Sequence, residues 1–587
     1  MGCTRPLERV AAAFGLLAEA PTAFESAQDV RHGGVLWALP ALLSNGLLTH
    51  HAKHFQLPKG YYNLLQIFLL VGLMALARLK SIEGLRYCAP GEWGKLLGLD
   101  RIPEVRTLRT KLGLLAQGPV AAWSAELSRS WMEADPALAG RLYVDGHVRV
   151  YHGAQTPLPK RYVSRERLCL RGTTDYWVND REGKPFFVIS QAANAGLLAV
   201  LRREIVPRLL REVPGQPSLE ILEAAKSKQR WHRFLMIFDR EGYSPVLFKD
   251  LLEEFIACCT YRKNPGDDWP ESEFEERTVT LPHGEQSQMK LAERGVWLGG
   301  ILWAREIRKL TDSGHQVAII TTDFSTPLEG VAGQMFARWS QENFFKYATE
   351  HFGLDRLVEY QTEPLSEPIA VVNPAWRQLS REIKKQAVQL ARQQARFGVK
   401  SLAGPLAPGE VETYAQEKAQ LQEKVEGLAE ALQQLKEKRR ALAHHIPVDQ
   451  LPEKARFVQL AWAKKHLVDT IKMVAYRAET AGLIHLLLGR GWHSRRWAEN
   501  KTAEETGVPR VLRPPQAPNV FQGLEFRFFL SQGEPRTISF LGQGLGAALA
   551  PAYVDRPSRD HAVEKVCCWH HERSESTWVR SWSRSIS

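Results

Sequence analysis

Cysteine is scarce in this chain, and its placement suits neither structural use of a thiol. Seven occur in 587 residues: Cys3, Cys88, Cys169, Cys258, Cys259, Cys567 and Cys568. Four of them form two adjacent pairs, and neighbours cannot both ligate one zinc in the usual loop geometry. No C-x2-C pair with a second half occurs, so a zinc ribbon or finger is excluded. The reading is a reducing compartment without a disulfide framework.

Long apolar runs are also few. The N-terminus carries Arg5, Glu8 and Arg9 but no apolar core followed by a cleavage site, so no signal peptide is expected. The stretch 61–77, YYNLLQIFLLVGLMALA, lacks charge and approaches the minimum spanning length, yet holds Asn63, Gln66 and Gly72. A buried core helix is expected there; a membrane-associated protein is a rival reading. Acidic residues are outnumbered: the formal charge is +12, which favours a polyanionic partner, nucleic acid first and a membrane surface second. A basic cytosolic protein of another kind would carry the same excess. The length exceeds what one core supports, so two to four domains are expected in a cytoplasmic chain without a membrane partner.

What is present falls into segments. Residues 1–140 read as mostly helical, with Pro and Gly punctuation. PGEWGKLLGL and PEVRTLRTKLGLLA, opened by Pro90 and Pro103, read as two short helices around Gly98. The second bears Arg106, Arg109 and Lys111. The pair is either a helix-turn-helix whose cations meet DNA or an ordinary helical hairpin.

At residue 141 the period changes to that of strands. RLYVDGHVRVYHG, KRYVSRERLCL and KPFFVISQ are three strand candidates; GLLAVLRREIVPRLLREV is a helix; RFLMIFDREG is a fourth strand closed by Gly242. A helix, VLFKDLLEEF, and a fifth strand, IACCTYRK, follow. Residues 267–324 are again strand-like, in RTVTLPH, VWLGGILWA and HQVAIITTDF. A helix then begins at Pro327, with Thr326 as N-cap and Glu329 completing a capping box, and is expected to run to His351 before Gly353. The core is thus expected over 141–360, with a β-rich insertion at 267–324.

Residues 361–490 read as helical. From Val411 to Leu442 a heptad places Tyr414, Leu421, Val425, Leu428, Leu432, Leu435 and Leu442 on a and d positions, broken by Lys418 and Arg439. It fits a coiled coil or a solvated helix packed on its own domain. Residues 491–587 hold no clear period and are expected to form an irregular, poorly folded tail.

Three acids carry the chemical reading. Asp145 lies mid-strand in YVDGHV, beside Gly146, which would allow a ligand close to the backbone. Asp239 ends the fourth strand in MIFDREG, and Glu342 lies in the helix, in FARWSQENFFKY. With three antiparallel strands joined through a helix to a fourth, strands one and four can be neighbours, so Asp145 and Asp239 lie side by side. Carboxylates gathered at one point repel unless cations neutralise them. Oxygen-only ligands suit Mg²⁺ or Mn²⁺, and two such ions serve an in-line displacement at phosphorus. Arg338, Glu342 and Lys346 are spaced by four and share a helical face. This face is either salt-bridged to itself or uses Glu342 for metal and Arg338 and Lys346 for DNA phosphates. His147 shares Asp145's strand face; Asp323 is expected to turn the chain and Glu241 to be exposed.

The order of acids and elements resembles the DDE transposases of bacterial insertion sequences, within the RNase H-like, retroviral-integrase superfamily. One group there has a helix signature Y-x2-R-x3-E-x6-K. This chain matches it at Arg338 and Glu342 and departs at Met335 and Thr349, with Lys346 nearly one turn early. The resemblance implies an α/β fold: an RNase H-like mixed sheet with a strand-rich insertion, flanked by helical N-terminal and helical or coiled-coil C-terminal regions. It implies metal-dependent nicking and strand transfer at element ends, with Asp145, Asp239 and Glu342 holding two Mg²⁺ or Mn²⁺ ions. The partners it implies are double-stranded DNA, as terminal inverted repeats and target, and a second copy in a synaptic dimer at the nucleoid. A nuclease of the same fold without strand transfer, or an inactive DNA-binding derivative, remains open.

Overall fold

The computed structural model describes residues 5–24, 30–153, 156–163, 165–192, 195–224, 232–281, 284–359, 361–363, 370–402, 404, 407–453, 456–488, 526–529 and 535–538. The tail expected at 491–587 therefore lies outside the described residues, except for a short hairpin, Phe526–Phe529 with Pro535–Ile538. Contacts gather the described residues into two compact units, one from 1–150, 172–361 and 461–587, the other from 151–171 and 362–460.

The first unit is built on a large mixed sheet. β1 (Arg141–Val150) pairs antiparallel with β3 (Leu168–Asn179), which pairs antiparallel with β4 (Pro185–Ala192). On its other edge β1 pairs parallel with β5 (Leu235–Phe238), and β5 pairs parallel with β6 (Ala257–Tyr261). β2 (Lys160–Val163) meets the first residues of β3 in the second unit. The second long strand is therefore LCLRGTTDYWVN. The expected KRYVSRERLCL segment instead splits between β2 and the start of β3.

Residues 267–324 extend this same sheet. β7 (Glu275–Thr280), β8 (Gln286–Leu298), β9 (Leu302–Leu310) and β10 (Gln316–Thr321) run antiparallel to one another, and β10 joins β6. VWLGGILWA is a tight hairpin and not one strand. Gly299 and Gly300 both take positive φ, which a two-residue turn matching strand twist requires.

Parity of the strands decides what they bury. Leu142, Val144, Met236, Phe238 and Cys258 enter one apolar cluster, while Tyr143, Leu235, Ile237, Ala257 and Cys259 enter another. β5 is buried along its full length, as a strand covered on both faces must be. The Leu64–Leu76 helix lies in the first cluster, packed against the Ala463–Leu488 helix. Asn63 and Gln66 form a capping box at its start, so these polar residues of the apolar run mark where the helix begins. Among the described residues no helix is long and apolar enough to cross a membrane.

The expected helix 327–351 is interrupted. It is a Leu328–Phe336 helix, a Trp339–Tyr347 helix and a wide turn over Ala348–Phe352, ended at Gly353. Thr326 does not cap it. Its hydroxyl donates to Asp323, and Glu329 pairs with Arg277 at 3.3 Å. Asp323 turns the chain as expected, with Oδ1 accepting from the N–H groups of Ser325 at 2.8 Å and Thr326 at 3.1 Å.

In the second unit the helices Pro374–Ser401 and Val411–Arg440 form an antiparallel hairpin. Tyr414 donates to the Lys400 carbonyl at one end (2.9 Å), and Ala370–Val372 pairs with His445–Pro447 at the other. The heptad stripe from Tyr414 to Leu442 is the less exposed side of its helix. Lys418 and Arg439 do not break it. Lys418 lies 5.4 Å from the Phe397 ring and Arg439 5.3 Å from Trp376, so each cation meets an aromatic face.

Candidate active site

The parallel register of β1 and β5 ends at Val144 opposite Phe238, and the next residue on each strand is an acid. Asp145 and Asp239 therefore leave neighbouring strands at one level. β5 stops there because Arg240–Gly242 turn sharply, and a Cβ on Gly242 would strike the Phe238 ring at 2.5 Å. Glu241 is exposed, as expected, and accepts from the Leu197 N–H at 3.2 Å.

Glu342 reaches this level from the Trp339–Tyr347 helix, and its neighbours fix that helix. Gln341 is buried. Its side-chain amide donates to the carbonyls of Tyr143 (3.2 Å) and Trp177 (3.1 Å) and to Asn179 Oδ1 (2.9 Å), tying the helix to β1 and β3. Ser340 donates to the Arg181 carbonyl at 3.0 Å, and Tyr143 donates to the Gln334 carbonyl at 2.9 Å. Sequence reasoning passed over Gln341, because a neutral residue beside an acid carries no periodic or motif signal.

Arg338 stands among the three acids. Its Nη1 lies 3.9 Å from Asp145 and 3.7 Å from Asp239, and its Nη2 lies 3.3 Å from Glu342. The guanidinium side chain is 11% exposed and Asp145 22%, against 45% for Asp239 and 54% for Glu342, so the cation and Asp145 sit deep while Asp239 and Glu342 open outward. The Tyr261 ring of β6 lies 5.9 Å from it, a neighbour the sequence did not suggest. Burial pushes the Asp145 carboxyl up to about 6. Arg338 opposes that rise, and the charges of Asp239 and Glu342 add to it. Burial disfavours the Arg338 cation, but Asp145 and Asp239 more than offset it and hold the guanidinium above its usual range.

The ligand expected beside Gly146 has a different occupant. Tyr176 is the cross-strand partner of Gly146, and a Cβ there would lie 2.8 Å from its ring. His147 is used in packing: it is buried, its ring stacks on Phe345 at 5.2 Å, and Nε2 meets Asp355. Farther along β1, Arg149 and Asp175 form a buried ion pair, and Ser190 donates to the same carboxylate at 2.7 Å.

The remaining candidates are dispersed. Lys346 is exposed, one turn beyond Glu342. The helices expected around Gly98 are present as Pro90–Leu97 and Val105–Ala116. Arg106 is exposed, Arg109 pairs with Glu83, and Lys111 is half-buried, which lowers its pKa.

The site offers carboxylate oxygens only, arranged around a positive charge. Among the described residues no three acids, histidines or cysteines converge closely enough to hold one ion; the guanidinium fills the space between them. Carboxylate oxygens are the donor type that hard divalent cations take.

A family model, Transposase_29, described as transposase protein, matches residues 1–487. No curated protein matches the chain.

Proposed function

We propose that the chain, which belongs to the Transposase_29 family of transposase proteins, cuts and joins DNA through a DDE-type centre made by Asp145, Asp239 and Glu342. The observation that carries this reading is the parallel pairing of β1 with β5, which stands Asp145 beside Asp239. The strand order β4-β3-β1-β5-β6 supports an RNase H-like core, with three antiparallel strands followed by two parallel ones. On this reading β7–β10 are the strand-rich insertion between β6 and the helix bearing Glu342.

Asp145, Asp239 and Glu342 would hold two Mg²⁺ or Mn²⁺ ions. When bound, such ions activate a water or a 3′-hydroxyl and stabilise the leaving oxygen of an in-line displacement. The chain's own part is to keep the acids at one level and to tune their charge. Asp145 must be ionised to act as a ligand, so its raised pKa couples the centre to pH. Arg338 offsets part of the acids' charge in the metal-free chain, and a guanidinium released from them can take a phosphate oxygen pair in a bidentate contact. Lys346, Arg106, Lys111 and Arg109, the last once free of Glu83, are the further phosphate contacts in this reading. The DNA partners are terminal inverted repeats and target DNA, engaged by a homodimeric synaptic complex at the nucleoid.

The test is cleavage of labelled DNA carrying the element's own ends, in Mg²⁺ and in EDTA, with Asp145→Ala, Asp239→Ala and Glu342→Ala alongside. Metal-dependent nicking and joining, lost in all three variants while DNA binding persists, is the expected result. Nicking without joining would make the chain a nuclease, and binding without cutting a DNA-binding derivative.

A further inference from the structure

The surface at issue is separate from the acids, and its interpretation rests on the reading that the chain acts on DNA. The Pro374–Ser401 helix holds seven Lys and Arg residues and one acid, Glu382, whereas its hairpin partner Val411–Arg440 holds six of each sign. Lys400 pairs with Glu417 at the hairpin tip. The other six, Arg377, Arg381, Lys384, Lys385, Arg392 and Arg396, are exposed. None has an ion-pair partner among the described residues.

Helical geometry places these six on one side. At 3.6 residues per turn they fall within an arc of about 120°. Leu379, Ile383, Leu390 and Phe397 lie on the opposite side and are less exposed, turned toward the partner helix. Arg377 with Arg381, Arg381 with Lys385, and Arg392 with Arg396 are like charges four apart, which destabilise a helix. A helix shaped for solvation alone would alternate signs, as its partner does. The stripe from Arg377 to Arg396 runs about 28 Å, the length of roughly eight base pairs of duplex.

We propose that this basic stripe is a DNA-backbone surface: the outer face of the Pro374–Ser401 helix lies along a duplex and neutralises its phosphates without reading sequence. Contacts of this kind supply affinity and register, and they make binding depend on salt.

The test uses the full chain in EDTA, so that no cutting interferes, with a labelled mixed-sequence duplex longer than the stripe and a series of KCl concentrations. The variant Arg381→Gln/Lys385→Gln/Arg392→Gln/Arg396→Gln should lose affinity at low salt by roughly ten- to a hundredfold. Its log–log salt slope should become shallower by about 3 to 4, since each phosphate contact contributes close to 0.9. Circular dichroism should show helicity unchanged. Arg381→Lys/Arg392→Lys/Arg396→Lys should keep both affinity and slope, which a packing role for the guanidinium groups would not allow. A folded quadruple variant that binds duplex with unchanged affinity and slope overturns the proposal. So does one that loses affinity only for phosphatidylserine vesicles, which would make the stripe a membrane-surface contact. If that variant binds duplex normally while the wild type nicks DNA in Mg²⁺, the stripe alone is wrong. If the wild type binds no duplex, the stripe and the functional reading fall together.

Discussion

Gln341 Nε2 donates to Asn179 Oδ1 at 2.9 Å inside the sheet–helix junction. This bond and the two to the Tyr143 and Trp177 carbonyls set where the helix carrying Glu342 meets β1. Gln341→Leu removes the donor and leaves buried acceptors unpaired, at a cost of about 1–3 kcal/mol. The variant should melt a few degrees lower. Nicking should fall at least tenfold while duplex affinity stays within about twofold, because only the acid's position is lost. Equal loss of nicking and binding would show that Gln341 serves folding alone.

Arg338 is the counter-charge of the metal-free acids. With Arg338→Ala the three carboxylates repel one another, so the metal-free variant should melt below the wild type. Added Mn²⁺ should then raise its melting temperature by more than it raises that of the wild type. Differential scanning fluorimetry with and without Mn²⁺ decides this. An equal shift in both proteins would mean that Arg338 and the ion do not compete for one place.

The Asp145 carboxyl titrates near 6, above the ordinary range near 3.8, because burial disfavours its charged form. Nicking in Mg²⁺ should therefore rise with pH as this ligand ionises, with a midpoint at or below about 6, because a bound cation favours the charged carboxylate. The sign for stability is opposite. The native state holds a proton that the unfolded chain releases near pH 4, so this group's contribution to metal-free stability is full below that and is lost as pH rises through about 6. The change is on the order of 3 kcal/mol. Asp145→Asn should remove this component from a metal-free melting-temperature profile. An identical profile in the variant would assign the titration elsewhere.

Gly146 faces the Tyr176 ring, which occupies the place a Cβ would take. Gly146→Ala should destabilise the chain by about 1–3 kcal/mol through overpacking. Adding Tyr176→Val should recover part of that loss, and chemical denaturation of the single and double variants measures the recovery. Additive effects would place the strain elsewhere.

Arg149 and Asp175 are buried together in the sheet. Asp175→Ala leaves a buried guanidinium without its partner, which costs about 3–5 kcal/mol. The variant should be markedly less stable or poorly expressed. Arg149→Met with Asp175→Leu should be far less harmful, since both charges leave together. Thermal melts of the two variants separate these outcomes.

Much of this protein follows from local pattern. Strand alternation in RLYVDGHVRV, the fully apolar LMIF, the Asn63–Gln66 cap and the heptad from Tyr414 to Leu442 each record a burial preference that needs no distant partner. The same patterns put Asp145 in a strand and Asp239 at the end of another. Tertiary structure decided what those elements meet. The parallel β1–β5 register brings Asp145 and Asp239 together across 94 residues of chain, because strands pair through backbone groups that every residue carries alike. Arg338 came to the centre of the acids, and not to the solvent face, because the helix breaks between Phe336 and Trp339 and the fold buries the guanidinium there. Gln341 gained its role only when three acceptors from β1 and β3 converged on it. Lys418 and Arg439 break the heptad in sequence, yet in the folded hairpin Phe397 and Trp376 give their charges aromatic faces to rest on.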